Sequence, residues 1–266
     1  MSEVATATRT VATDALPSVV VDHVDVTYRI QADTRRSPAQ RLTGSGRDHR
    51  EIEAVKNVTF IAKQGEAIGV IGHNGSGKST LLKAIAGLVP LERGRVYTSS
   101  TPVMLGVSAA LRPELSGRRN IVLGATARGL TRAEIAEKMD DIIEFSGIEE
   151  FIDLPLRAYS SGMRARLQFS IATASTPDIL IVDEALATGD AGFKERSDER
   201  MRGMLAGAGT IFIATHVMSS VTDLCNRAIW LDHGDMIAAG DPGPITEAYR
   251  EHNERVKEHR ARYGTA

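Results

Sequence analysis

Hydrophobic and polar positions divide the chain into strand-like and helix-like stretches. Residues 19–30 (VVVDHVDVTYRI) place apolar side chains on alternate positions often enough to predict a strand. The next segment, residues 31–53, is polar and basic and breaks that rhythm, which predicts a long loop or an insertion. Strand patterns resume at AVKNVTFIA and EAIGVIG, followed by a glycine-rich turn and an apolar helix, KSTLLKAIAGL. Two short strands are expected between residues 94 and 105. Residues 118–174 read as mainly helical, and LTRAEIAEKMDDIIEFSG is the clearest amphipathic piece. Thr131 should cap that helix, with Glu134 three residues on completing a capping box. Four more strands are predicted at DILIVD, GTIFIAT, RAIWLD and DMIAAG, with helices near residues 193–205 and 217–225. The tail, 242–266, is charged and helical with a weak apolar face. The short runs AIGVIG and ILIV suit strands covered on both faces of a parallel sheet. The pattern therefore predicts an α/β protein with a β-rich start and a helical block set into a parallel core.

Composition changes this picture little. With 266 residues, 42% hydrophobic and 25% charged, the chain has enough apolar content for a full core. A net charge of −2 argues against non-specific nucleic-acid binding. A single cysteine, Cys225, excludes an internal disulfide framework and any multi-cysteine metal site. No run of 18 apolar residues occurs, so no membrane-spanning helix is expected. Residues 1–17 lack the apolar centre of a signal peptide and read as a disordered leader.

Three motifs carry chemistry. GHNGSGKS, from Gly72 to Ser79, fits G-x-x-x-x-G-K-[ST] and lies between a predicted strand and a predicted helix, the context this motif requires. Backbone N–H groups of Gly72, His73, Asn74, Gly75, Ser76 and Gly77 would curl round phosphate oxygens, with Thr80 in the first helical turn. Lys78 would reach the β- and γ-phosphates, and Ser79 would offer its hydroxyl to Mg²⁺. In ILIVDE, Asp183 falls at the carboxyl end of a buried strand, where it can hold the metal, and Glu184 follows as general base for the attacking water. His216, at the end of the strand TIFIAT, is placed to hydrogen-bond the γ-phosphate. A fourth stretch, RAYSSGMRARLQFS, contains Ser160, Ser161 and Gly162 at a helix start, an N-cap with free N–H groups that attract an anion.

Phosphate loop, helical block, Ser/Gly loop, ILIVDE and ATH, in that order over residues 19–240, resemble the ABC ATPases. The resemblance implies a P-loop ABC ATPase domain over residues 18–241, with a RecA-like parallel-sheet core, an antiparallel β subdomain and an inserted helical subdomain at about 107–175. It implies ATP and Mg²⁺ as ligands and a head-to-tail homodimer, in which Ser160, Ser161 and Gly162 cap the γ-phosphate bound to the opposite subunit. Tyr28 stands where that family sets an aromatic ring against adenine, and Asp190 where its interface loop lies. The family's L-S-G-G-Q is here Tyr159-Ser160-Ser161-Gly162-Met163, and the glutamine expected before the helical block is missing. YSSGM, DEALATGDAGF and LRPELSGRRNI resemble one branch in particular, the ATPase subunits of bacterial polysaccharide exporters. That branch implies two copies of a separate polytopic permease, a lipid-linked glycan such as an O-antigen, galactan or teichoic-acid-like polymer handled mainly by the permease, no nucleic acid, and a peripheral position on the cytoplasmic face of the plasma membrane. The basic insertion with Arg35, Arg36, Arg41, Arg47 and Arg50 would face the permease or anionic headgroups. The alternatives are another ABC transporter's ATPase or a transport-independent ABC protein. The first should carry the missing glutamine, and a translation factor of the second kind should carry two such domains and more positive charge.

Overall fold

In the computed structural model, residues 14–31, 49–105, 111–183 and 191–263 are described. The strands are β1 (Pro17–Gln31), β2 (His49–Lys63), β3 (Ala67–Ile71), β4 (Arg93–Thr98), β5 (Val103–Leu105), β6 (Ile179–Asp183), β7 (Thr210–Ala214), β8 (Arg227–Asp232) and β9 (Asp235–Gly240). The helices are α1 (Lys78–Ile85), α2 (Gly117–Thr126), α3 (Arg132–Ser146), α4 (Ser161–Ala172), α5 (Ala191–Gly207), α6 (Met218–Leu224) and α7 (Pro242–Tyr263).

The short apolar runs behave as their composition predicts. β3 and β7 are buried at every position and lie side by side, parallel, in a six-stranded sheet of order β5-β6-β7-β3-β8-β9. β5, β6, β7, β3 and β8 run parallel, and β9 closes the edge antiparallel to β8. The second sheet, β2-β1-β4, is antiparallel and half-solvated, hence its alternating sequence.

Three apolar clusters follow from these layers. One joins the antiparallel sheet (Val19, Val21, Phe60) to α1 (Leu81, Leu82, Ile85) and to one face of the parallel sheet (Ile68, Phe212, Ile229). The opposite face (Ala67, Ile71, Ile211, Trp230) is covered from α5, α6 and α7 by Met204, Val221 and Tyr249. The third belongs to the helical block alone, from Ile121 through Ile142, Leu156 and Leu167 to Ala174. In α3, Ile135, Ile142 and Ile143 form the buried stripe. Thr131 and Glu134 make the capping box as read from sequence, with Glu134 Oε2 accepting from the Thr131 N–H at 2.7 Å. The Thr131 hydroxyl donates to the same carboxylate oxygen at 2.7 Å, and it and the Thr131 N–H hold the Glu134 carboxyl below its ordinary range.

One boundary differs from expectation. Residues 49–53, read as part of the polar insertion, belong to β2. Arg29 donates to Glu51 at 3.0 Å and Ile52 sits opposite Tyr28. The alternation E-I-E continues the strand, but a ribbon projecting into solvent has too few apolar residues to declare itself. Arg50 is thus a strand residue, while Arg35, Arg36, Arg41 and Arg47 lie outside the described residues.

Candidate nucleotide site

At the carboxyl edge of the parallel sheet, β6, β7 and β3 are neighbours, so the segments leaving them converge. β3 runs into the phosphate loop, β6 ends in Asp183, and β7 leads to His216 two residues on. The loop's shape depends on two glycines. Gly72 has φ +150°, and a Cβ there would lie 2.3 Å from the Leu231 carbonyl oxygen. Gly77 has φ +105°, and its Cβ would lie 2.2 Å from the Ala54 oxygen. Neither backbone oxygen can yield, so both positions require glycine. Ser76 is fully buried, and its carbonyl accepts from the Gly234 N–H at 3.0 Å, pinning the loop to the β8–β9 turn.

Gly77 is also the N-cap of α1 and offers no side-chain oxygen to the first-turn N–H groups. Those donors and the helix dipole are left to favour an anion. The Lys78 ammonium donates to the Gly72 and His73 carbonyls at 2.7 and 2.9 Å, which folds it back over the loop. Asn74, Gly75, Gly77, Lys78, Ser79, Thr80 and Asp183 line a common cleft of about 820 Å³. A volume of that size suits a nucleotide-sized ligand. A hydroxyl from Ser79 and a carboxylate from Asp183 form a hard oxygen donor set that fits Mg²⁺.

The cleft has a second wall that sequence reasoning missed. Ile52, Glu53, Ala54 and Lys56 of β2 and His233 of the β8–β9 turn also line it. The signal for β2 was concealed by the insertion boundary. For His233 it was the Asp-His-Gly-Asp turn, which reads as an ordinary hairpin. Tyr28 is half-exposed on β1 directly opposite Ile52, so the ladder sets it beside that wall rather than in the lining. His216 is exposed at the same sheet edge but does not line the cleft. Glu184 and Asp190 lie outside the described residues.

The Ser/Gly loop is built from the helical block. Ser160 is the N-cap of α4, its hydroxyl accepting from the Met163 N–H at 3.1 Å. Ser160, Ser161 and Gly162 are exposed, away from their own chain's cleft. The preceding Tyr159 is only 4% exposed and donates its hydroxyl to the Phe151 carbonyl at 2.7 Å. Burial pushes its phenol above the ordinary value. Asn120, fully buried, stitches the turn before α2, accepting from the Arg112 N–H and donating to the carbonyls of Arg112, Leu115 and Ser116.

Phosphate loop, parallel sheet and helical block define an α/β protein of the phosphate-loop class. A family profile described as ABC transporter matches residues 55–187, and the chain belongs to that family. It is 41% identical over 221 residues to the teichoic acids export ATP-binding protein TagH of Lactococcus lactis subsp. lactis (strain IL1403), covering 83% of this chain and 47% of that one. It is 42% identical over 203 residues to the O-antigen export system ATP-binding protein RfbB of Klebsiella pneumoniae, covering 76% and 82%. The chain thus spans about half the length of the teichoic-acid relative. Among solved structures, an ATP-binding subunit of an ABC transporter superposes with a TM-score of 0.64 at 23% identity, covering 87% of this chain and 93% of that one. The dimeric cassette MJ0796 bound to ADP and Pi gives 0.62 at 21%, covering 84% and 98%. Both support the fold.

Proposed function

We propose that the chain is the ATP-hydrolysing subunit of an ABC exporter that moves a lipid-linked polysaccharide across the cytoplasmic membrane. The observation that carries the ATPase part is the meeting of Lys78, Ser79 and Asp183 in one cleft in front of an uncapped helix start. Identity above 40% to proteins named for teichoic-acid and O-antigen export supports the polysaccharide part.

In this reading the N–H groups at the start of α1 and Lys78 hold the triphosphate. Ser79 and Asp183 would hold Mg²⁺, which neutralises charge on the phosphates. Glu184 accepts a proton from the attacking water, and His216 orients the γ-phosphate. Tyr28 stacks near adenine beside Ile52. Hydrolysis needs donors on the far side of the γ-phosphate, and Ser160, Ser161 and Gly162 supply them from the second subunit of a homodimer. Their exposure at the N-cap of α4 suits that role, and Asp190 completes the interface. Two copies of a separate polytopic permease would take up the dimer's motion, handle the glycan and hold this chain at the cytoplasmic face. No helix among the described residues is long and apolar enough to cross a membrane, which leaves that role to the permease.

The test is a pair of variants. Glu184→Gln should bind ATP but turn it over at a rate lower by about two to four orders of magnitude. Lys78→Ala should weaken ATP binding itself. Full hydrolysis by Glu184→Gln would remove the general-base assignment. In cells, depletion of the protein should make a lipid-linked glycan accumulate on the cytoplasmic side, and unchanged surface glycan would refute the export reading.

A further inference from the structure

Between the phosphate loop and the β8–β9 turn, outside the set assigned to Mg²⁺, three metal-ligating side chains converge. His73 Nδ1 lies 2.7 Å from the Asn74 carbonyl oxygen, an atom that only accepts, so Nδ1 carries the hydrogen and donates. His73 Nε2 points at Asp232 Oδ1, 2.8 Å away, is shielded from solvent and makes no hydrogen bond of acceptable geometry. A nitrogen lone pair cannot face a carboxylate oxygen at that distance without a cation between them, either a proton on the ring or a metal ion. The third member favours a metal. His233 Nε2 is 3.9 Å from the same oxygen, and its ring centroid is 4.6 Å from that of His73. Ligand atoms of His73, Asp232 and His233 all lie within 4.8 Å of one another.

We propose that His73, Asp232 and His233 form a binding site for a transition divalent cation of the Zn²⁺ class, clipping the phosphate loop to the β8–β9 turn. Tetrahedral zinc with bonds of about 2.0–2.1 Å sets neighbouring ligand atoms about 3.3 Å apart. The two separations from Asp232 Oδ1, 2.8 and 3.9 Å, straddle that value, so side-chain rotations bring three ligands onto one ion and leave the fourth position to water. The arrangement also has the outer support a metal-ligating histidine needs, since the Asn74 carbonyl fixes the tautomer and the ring. The turn is rigid. His233 (φ +48°) and Gly234 (φ +90°) form a two-residue hairpin loop of type I′. The Gly234 N–H donates to the Ser76 carbonyl at 3.0 Å, and its carbonyl accepts from the Lys56 N–H at 2.9 Å. Two imidazoles and one carboxylate select Zn²⁺ over Mg²⁺, which takes oxygen ligands.

The probe is Zn²⁺ alone, titrated into the nucleotide-free full chain in competition with a chromophoric chelator. One zinc per chain should bind at micromolar concentration or tighter, and millimolar Mg²⁺ should not displace it. His233→Asn and Asp232→Asn should each weaken binding about tenfold or more. Since the His233 side chain is 76% exposed and asparagine suits the φ of +48° in a type I′ turn, His233→Asn leaves the fold standing, to be confirmed by an unchanged melting transition. His23→Ala, which breaks a His–Asp pair of 2.6 Å with no third ligand among the described residues, should leave zinc binding unchanged. Absence of saturable one-to-one binding overturns the proposal. So does wild-type affinity in both site variants, or an equal loss in His23→Ala. The readout uses no nucleotide, so its failure leaves the ATPase reading intact and the reverse also holds.

Discussion

Replacing Tyr159 with Phe removes one buried hydroxyl under the Ser/Gly loop. The tyrosine ring is buried, so phenylalanine keeps its packing and only the hydroxyl, 2.7 Å from the Phe151 carbonyl oxygen, is lost. A neutral hydrogen bond of this kind contributes about 0.5–1.5 kcal/mol, and the Phe151 carbonyl keeps a second donor, the Leu154 N–H at 2.9 Å. The expected cost is therefore about 0.5–1.5 kcal/mol, read as a lower urea midpoint at constant slope. A second substitution checks the geometry. At Gly117 an added Cβ would lie 2.4 Å from the Tyr159 hydroxyl oxygen and 2.8 Å from Ile152 Cδ1. Gly117→Ala should then cost about 1–3 kcal/mol by overpacking. Combined with Tyr159→Phe, it should cost less than the sum, because the closest atom has gone. Strict additivity in this double-mutant cycle, or a Tyr159→Phe cost below about 0.3 kcal/mol, would refute the view that this hydroxyl anchors the loop.

Other expectations are independent of that cycle. Gly77→Ala places a methyl group 2.2 Å from the Ala54 oxygen at φ +105°, so nucleotide binding should be lost in titration calorimetry while α5 to α7 keep their helical signal. Asn120→Leu removes a buried amide that bonds four backbone groups of the partly exposed turn before α2 and should destabilise by about 1–3 kcal/mol in denaturant unfolding, concentrated in the helical block. Burial lifts the Cys225 thiol to about 12, so native protein at pH 8 should resist iodoacetamide and react only on unfolding. Asp141 is held below the ordinary carboxylate range by its hydrogen bonds from Arg200, so the pair's contribution is present above the unfolded-state value and lost as pH falls through the folded one. Arg200→Met should therefore flatten the acid limb of the stability curve by less than about 1 kcal/mol, because the Asp141 side chain is 58% exposed.

Legibility in the sequence followed burial. β3, β6 and β7 are doubly covered, and their unbroken apolar runs announce them. The capping box of α3 and the Ser160 N-cap were also readable, because both are local hydrogen-bond patterns with fixed spacing. The first residues of β2 were not, since they pair with β1 in solvent and alternate Glu with Ile. For the same reason Ile52 and Glu53 were missed as walls of the cleft. Tyr159 read only as a mismatch to a signature, and its anchoring bond to Phe151, eight residues upstream, depends on how two short helical turns pack. The His73–Asp232–His233 group joins residues about 160 apart in sequence, a contact made by β8 pairing with β3.

The central claim is that each ATP site is shared between two chains, and size-exclusion chromatography with light scattering on Glu184→Gln tests it most directly. With ATP and Mg²⁺ the mass should double from the 28.6 kDa of one chain, and adding Ser160→Arg should return it to a monomer that still binds ATP. A Glu184→Gln protein that binds ATP and stays at the monomer mass, or a Ser160→Arg variant that dimerises undiminished, would contradict the shared site.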